Sequence, residues 1–296
     1  MSSIHNRHGI LAMSAAMLSF VLNDALTKFV SASIAAPQLI FLRGLLASAG
    51  LLLLAITVIK LPPWRETLGH VSHKWVFIRS LLDGTASLVY LSAMFNMPLA
   101  NATAINMSTP LLIALLSALL LGHRVSGRHW AIIGAGFFGV LLVVQPQADG
   151  FNAWAWVALA GTMFHALRDL SVRYIPDHVP SILVTLGTAI TATLMAGIWA
   201  LWHPWQSVSW THWGLMAAAA VFLSAGYFLL IKATRMADMT VIAPFRYMGL
   251  LTAVVMGFVV WGDVPNAVAW VGMAMLVGAS LTMLHMSRPP SEDPKA

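Results

Sequence analysis

Read for polarity alone, the chain alternates long apolar stretches with short polar interruptions. Ten stretches come close to twenty residues, at 9–29, 37–58, 75–95, 99–121, 129–145, 153–172, 180–201, 212–231, 240–261 and 266–285. A helix needs about 20 apolar residues to cross the hydrocarbon of a bilayer. The pattern therefore predicts an all-α polytopic membrane protein of ten transmembrane helices, joined by nine short loops with no room for a soluble domain. The segment from Ile10 to Leu22 has the length of a signal-peptide core, but Asn23, Asp24 and Lys28 follow it without a clear cleavage site. It is read as a retained first helix.

The polar positions inside these stretches are few and unevenly placed, and an ionisable group at membrane depth is a functional-site hypothesis by default. At 1.5 Å of rise per residue, Asp24 and Lys28 fall near the outer end of helix 1 and Arg43 about 9 Å below the outer surface. Arg79 falls about 6 Å and Asp83 about 12 Å from the inner surface, with Arg168 and Asp169 near the inner end of helix 6 and Arg246 about 9 Å up helix 9. Asp24–Lys28 and Arg79–Asp83 have the i,i+4 spacing at which opposite charges meet. Between the two charged layers lie Asn23, Tyr90, Asn106, Ser108, Thr109, His165 and Tyr227. Two charged girdles around a softer middle predict gates around a pocket. For Lys28 and Arg173 the favoured reading is instead that the side chains snorkel to the interfaces. Pro110 and Pro244 lie within spans, and each frees a backbone carbonyl that protein or cavity water has to satisfy.

Composition agrees with membrane residence: 59% of residues are hydrophobic and 9% charged, with a mean hydropathy of +0.82. The net charge of +6 is a matter of topology rather than of nucleic-acid binding. With the N-terminus in the cytoplasm, Arg7, Lys60, Arg65, Lys74, Arg124, Arg128, Arg173, Lys232, Arg235, Arg288 and Lys295 all fall on that side, and Lys28 alone lies near the other. By the positive-inside rule this predicts a multi-pass protein of the cytoplasmic (inner) membrane with both termini cytoplasmic. The absence of cysteine excludes disulfides, thiolate metal sites and cysteine nucleophiles.

The two halves echo each other. Asp24-Ala-Leu-Thr-Lys28 in helix 1 is matched by Asp169-Leu-Ser-Val-Arg173 in helix 6, while Tyr90, Ala100 and Thr103 are matched by Tyr227, Ala237 and Thr240. Trp130 and Trp270 each open the last helix of a half. The junction lies in the turn-like stretch 145–150, dividing the chain into five-helix repeats at residues 1–147 and 148–296. Five is an odd number, so the second copy has to cross in the opposite sense, the inverted-repeat plan of many secondary transporters.

Other motifs carry little. Gly134-Ala-Gly136-Phe-Phe-Gly139 spells a dinucleotide fingerprint, but no strand precedes it, and small residues in a span let helices approach closely. Of the eleven histidines most fall in loops or at span ends. His70 and His73 are a close pair without carboxylates beside them, so no metal or other cofactor is expected. His165 is deep and titrates near neutrality in water, which makes it a proton-coupling candidate. The tryptophans mostly mark the interfaces.

Val241-Ile-Ala-Pro244-Phe-Arg246-Tyr247, continuing through Gly257, Trp261-Gly262-Asp263, Pro265 and Trp270-Val-Gly272, resembles the second-half signature of the EamA-type drug/metabolite transporter superfamily. Pro110 through Leu121-Gly122-His123 resembles its first-half counterpart, with His123 where the family usually has Glu. Asn23-Asp24 with Lys28, and Phe41-Leu-Arg43-Gly44, are also similar to family helices 1 and 2. The resemblance covers the whole chain and implies a transporter of small metabolites, more often exported than imported, with amino-acid exporters among the relatives.

The resulting expectation is a secondary transporter, not an enzyme, that exports small metabolites such as amino acids by alternating access. Arg43 and Arg246 are candidates for carboxylate recognition or gating, since guanidinium forks match carboxylates. Asp24, Asp83 and Asp169 are candidate gate partners or proton carriers, with Arg79 and Arg168 beside them. Tyr90, Asn106, His165, Tyr227 and Tyr247, with Asn23, are candidate cavity-lining contacts. The expected partners are a small-molecule substrate, the lipid bilayer and, as a candidate, coupling protons. The competing classes are an intramembrane enzyme, which needs a nucleophile–base or metal set at one depth, and a non-transporting receptor.

Overall fold

A computed structural model describes residues 3–59, 69, 73–121, 126–145, 153–176, 178–237 and 239–286. The loop cations Lys60, Arg65, Arg124, Arg288 and Lys295, together with His70, Gly122-His123 and the repeat junction at 146–150, lie outside these residues. Helical rods occupy the ten predicted stretches: α1 (Ser3–Ser31), α2 (Ala36–Leu54, continued by a π turn at Ala55–Ile59), α3 (Lys74–Phe95), α4a (Leu99–Asn106) with α4b (Thr109–Leu121), α5 (Gly127–Val144), α6 (Trp154–Ser171), α7 (Ser181–Ala200), α8 (Trp210–Met236), α9 (Met248–Trp261) and α10 (Ala267–Met286). Before α9 the chain runs through a single turn, Met239–Ile242, and a 3₁₀ segment, Ala243–Tyr247. Among the described residues, eight spans are long and apolar enough to cross a membrane. The other two stretches hold α6, which carries His165, Arg168 and Asp169, and α10.

The break between α4a and α4b follows from Pro110. Without an N–H, proline cannot bond the carbonyl four residues back, and its ring crowds that carbonyl. The freed Asn106 carbonyl accepts instead from the Thr109 hydroxyl at 2.6 Å, and the Ile105 carbonyl from the Ser108 hydroxyl at 2.6 Å. Protein hydroxyls thus satisfy this bend, and the Asn106 side chain faces inward. In the second half Pro244 sits in the first turn of the 3₁₀ segment, which carries Arg246 and Tyr247.

The rods pair across the halves. The principal contacts are α1 with α8, α3 with α6, α5 with α10 and α2 with α7, followed by α3 with α7, α2 with α8, α1 with α9, α4b with α6 and α4a with α9. Exchanging each rod with the one five places along leaves this set of pairs unchanged. The dinucleotide-like glycines serve this packing: a Cβ at Gly139 would lie 2.8 Å from the Gly272 carbonyl of α10, and one at Gly136 would collide with Leu111, whereas Gly134 faces open space.

The bundle has two distinct ends. At the distal end Gln38 of α2 and Gln206, between α7 and α8, exchange side-chain and backbone bonds of 2.8 Å, and Gln145 and Asn266 exchange two amide bonds of 2.8 and 3.0 Å. A large core fills this half, joining Val21, Ala25, Ile40, Met94, Ala104, Val140, Ala196, Leu250 and Leu276, with a smaller cluster of Val30, Ile34, Leu39, Leu42 and Met216 beside it. Toward the terminal end, where α1 begins, the packed residues fall into separate clusters: α1 with α8, α2 with α7, α3 with α7, and α4b with α6. Rods 4 and 9 meet through α4a, while α4b leans on α6. A cavity lies between these terminal-end clusters.

Two readings of the charges are corrected. Lys28 does not snorkel: it is only 9% exposed, and its ammonium donates to the Met94 and Met97 carbonyls at 2.7 and 2.6 Å and lies 5.6 Å from the Trp261 ring. Nor does it pair with Asp24, because α3 ends directly above it and presents carbonyls with no intrahelical donor. These charge-assisted bonds outcompete the i,i+4 partner. Arg173 is exposed and lies over the Tyr174 ring at 5.5 Å.

Candidate functional site

The cavity has a volume of about 410 Å³ and is walled by α1, α2, α3, both pieces of rod 4, α6, α7, α8 and the 3₁₀ segment before α9. Ligand cavities of this size are typical for small molecules. Of the expected site residues, Asn23, Asp24, Arg43, Tyr90, Asn106, His165, Arg168, Asp169, Tyr227, Arg246 and Tyr247 line it. Arg79 and Asp83 do not reach it; they stand behind α6 and α7.

The distal part of the wall is a chain of three polar groups. Arg43 donates from Nη1 to Asn23 Oδ1 at 3.0 Å, and Asn23 Nδ2 donates to Asp24 Oδ1 at 2.9 Å. One amide thus relays between a guanidinium and a carboxylate and leaves each with unused capacity. Arg43 Nε is buried with no hydrogen-bond partner, a condition that costs about 1–3 kcal/mol in a protein interior unless a further group supplies the acceptor.

The terminal part is built differently. Arg168 holds Asp83 of α3 at 2.6 Å and its own neighbour Asp169 at 2.9 Å, while Arg79 lies 4.0 Å from Asp83 and donates to the Thr188 hydroxyl of α7 at 3.2 Å. The expected Arg79–Asp83 pair exists, but Arg168 is the closer partner. The clasp lies inside the α3–α6 pair, where a Cβ at Gly161 would come within 2.8 Å of the Tyr90 backbone nitrogen. Arg246, exposed in the cavity, has no hydrogen bond or ion pair to the described residues.

Between these parts lie two aromatic pairs. Phe20 meets Tyr227 edge to face at 5.2 Å, and Tyr90 meets His165 at 5.7 Å with the rings tilted by 58°. His165 Nδ1 also lies 2.9 Å from Asn106 Oδ1, joining α6 to the bend in rod 4. Sequence reasoning missed Phe20. The echo that relates Asp24 to Asp169, 145 positions apart, also relates Phe20 to His165 and Asn23 to Arg168. Thr188, Thr193 and Ser48 were missed as well; the two hydroxyls of Ser48 and Thr193 face each other at 3.4 Å where α2 crosses α7. Among the described residues no cluster of three His, Asp or Glu side chains is arranged to hold a metal ion.

Comparison with known proteins adds a family to this geometry. The model of the EamA-like transporter family matches twice, at residues 7–145 and 152–284. The pseudopaline exporter CntI of Pseudomonas aeruginosa is 25% identical over 282 residues, covering 94% of this chain and 96% of its own. The riboflavin transporter of Vibrio cholerae is 25% identical over 281 residues, covering 92% and 91%. The S-adenosylmethionine uptake transporter of Rickettsia bellii is 24% identical over 192 residues, covering 64% and 65%. A protein of known crystal structure superposes with a TM-score of 0.63 at 17% identity, covering 95% of this chain and 99% of its own, a likeness of fold alone.

Proposed function

Because the chain belongs to the EamA-like transporter family, and is thereby a membrane transporter of small molecules rather than an enzyme, we propose that it carries a small zwitterionic metabolite, an amino acid or a close analogue, and exports it across the cytoplasmic membrane by alternating access. The relatives are named for three different cargoes, so cargo has to be argued from the cavity. The observation that carries the reading is the set of unused charges on its wall. Among the described residues Arg43 Nε and the Arg246 guanidinium have no acceptor, and the Asp24 carboxylate, bonded to one amide, lines the same cavity. A carboxylate on the cargo satisfies the donors, and an ammonium satisfies Asp24. Guanidinium groups suit carboxylates through paired N–H donors.

Direction and sidedness rest on the described cations Arg7, Lys74, Arg128, Arg173 and Lys232, which stand at the terminal end of their rods, and on the cavity, which is sealed distally. With the terminal end cytoplasmic, this is the state in which an exporter loads. The two family matches, one per half, and the exchange-invariant helix pairing support two inverted five-helix repeats meeting near residue 147, which rock about the cavity.

The test is transport by the purified chain in proteoliposomes, with labelled amino acids offered from each side in turn. The reading expects saturable movement of at least one amino acid, with loading favoured at the side bearing the termini and release at the distal side. No movement above protein-free vesicles for every amino acid would remove the cargo assignment.

A further inference from the structure

The carboxylates around the cavity are not equivalent. Asp83 and Asp169 both rest on Arg168, at 2.6 and 2.9 Å. Asp24 lines the cavity with the Asn23 amide as its hydrogen-bond partner, and among the described residues no cation lies within 4 Å of it. Lys28, one turn away and at the right spacing, is spent on the Met94 and Met97 carbonyls. At the repeat-related position, Arg168 stands where the first half has Asn23, so Asp169 is paired directly with a guanidinium and Asp24 is not.

The groups that interact with Asp24 are Arg43 on α2 and Tyr90 on α3; Tyr227 on α8, Arg246 before α9 and His165, Arg168 and Asp169 on α6 line the same cavity, and Lys28 stands on its own helix. His165, the other titratable candidate, is held by Asn106 and packed on Tyr90.

We propose that Asp24 is the proton-coupling group, and that a proton and the cargo's ammonium compete for its carboxylate so that one is exchanged for the other. The inference rests on the transport reading above. At the distal side, water delivers a proton that forms an O–H bond on the Asp24 carboxylate, and the ammonium it held departs. The protonated carrier turns to the terminal side, where that O–H bond breaks to water and the next ammonium takes its place. No electrons move and one proton enters for each cargo molecule that leaves. Helix α1 packs on both α8 and α9 of the other half, so a change in charge at Asp24 is felt by rods of both halves.

The first measurement is independent of cargo: an infrared pH titration of the purified full chain, reading the carboxylic-acid C=O band. The band is expected to titrate in the parent protein, to vanish in Asp24→Asn, to shift in frequency in Asp24→Glu and to persist in Asp169→Asn. A titrating band unchanged in Asp24→Asn, or unshifted in Asp24→Glu should the amide variant not fold, overturns the proposal. The second uses a ¹⁴C-labelled mixture of L-amino acids with proteoliposomes. Simple competition with one proton predicts that the apparent half-saturation concentration rises about tenfold per unit fall in pH below the midpoint, and that Asp24→Asn raises it and removes its pH dependence. Transport indifferent to pH in the parent protein overturns the coupling. Absence of all transport with a titrating Asp24 band overturns the cargo reading and leaves the proton site standing.

Discussion

Arg168 Nη1 lies 2.6 Å from Asp83 Oδ1, and the bond joins α6 of the second half to α3 of the first. Both residues are largely shielded, with side chains 20% and 7% exposed. Because α3 and α6 are among the most extensively packed pairs in the bundle, this clasp ties together two rods that already pack closely. Arg168→Ala leaves Asp83 as a buried carboxylate with Arg79 only at 4.0 Å. Removing one partner of a buried pair costs about 3–5 kcal/mol. The expected outcome is a lower melting temperature in detergent, and recovery of most of the loss in the double variant Arg168→Met, Asp83→Leu. A single variant as stable as the parent would show that the clasp carries no net stability.

Arg43→Ala and Arg246→Ala are expected to reduce transport at least tenfold while the protein still inserts and melts near the parental temperature. Arg246 has no partner to lose among the described residues, so its removal strands nothing. For Arg43 the loss is one bond to Asn23, about 1.5–3 kcal/mol for a bond to a charged group. Normal transport by both variants would mean that the cavity's unused donors do not meet cargo.

Lys28→Met is expected to loosen the distal seal. It removes two charge-assisted bonds, leaves the Met94 and Met97 carbonyls without this donor, and ends the contact with Trp261. A cysteine placed at Asn106 or Tyr227, in a chain that has none of its own, reports the effect. Labelling by a membrane-impermeant reagent from the distal side is expected to accelerate in the Lys28→Met background, and cargo to protect both positions. Unchanged distal labelling would make Lys28 a cap for α3 alone.

The glycines of α5 separate packing from permissiveness. Gly139→Ala drives a methyl to within 2.8 Å of the Gly272 carbonyl, and overpacking of this kind costs about 1–3 kcal/mol. Gly134→Ala meets nothing and gains helix propensity of about 1 kcal/mol. Thermal melts are expected to move in opposite directions for the two variants.

The all-α architecture was legible because hydrocarbon imposes a length and a polarity on each rod, and the residues violating that polarity, Asp24, Arg43, His165, Asp169 and Arg246, were conspicuous for the same reason. Less legible was what each charge would touch. Lys28 was paired with Asp24 by spacing, yet its partners are the carbonyls of Met94 and Met97, which any residue type could present. Asp83 was paired with Arg79 by spacing, and the closer cation came from a helix 85 positions away. Phe20 gave no signal by itself, since an aromatic residue in an apolar span is unremarkable until the echo with His165 sets it opposite Tyr227.

The pairing of rods across the halves has a consequence for biosynthesis. Helix α1 leaves the ribosome well before α8, its chief partner. Until the last rods arrive the Lys28 ammonium lacks its contact with Trp261 of α9, and α1 stands without α8 and α9 beside it, at a depth where lone charges are costly. Assembly therefore cannot proceed one half at a time: the first five helices have to be inserted, and held by the insertion machinery or one another, as an open set of rods that closes only when its counterpart arrives.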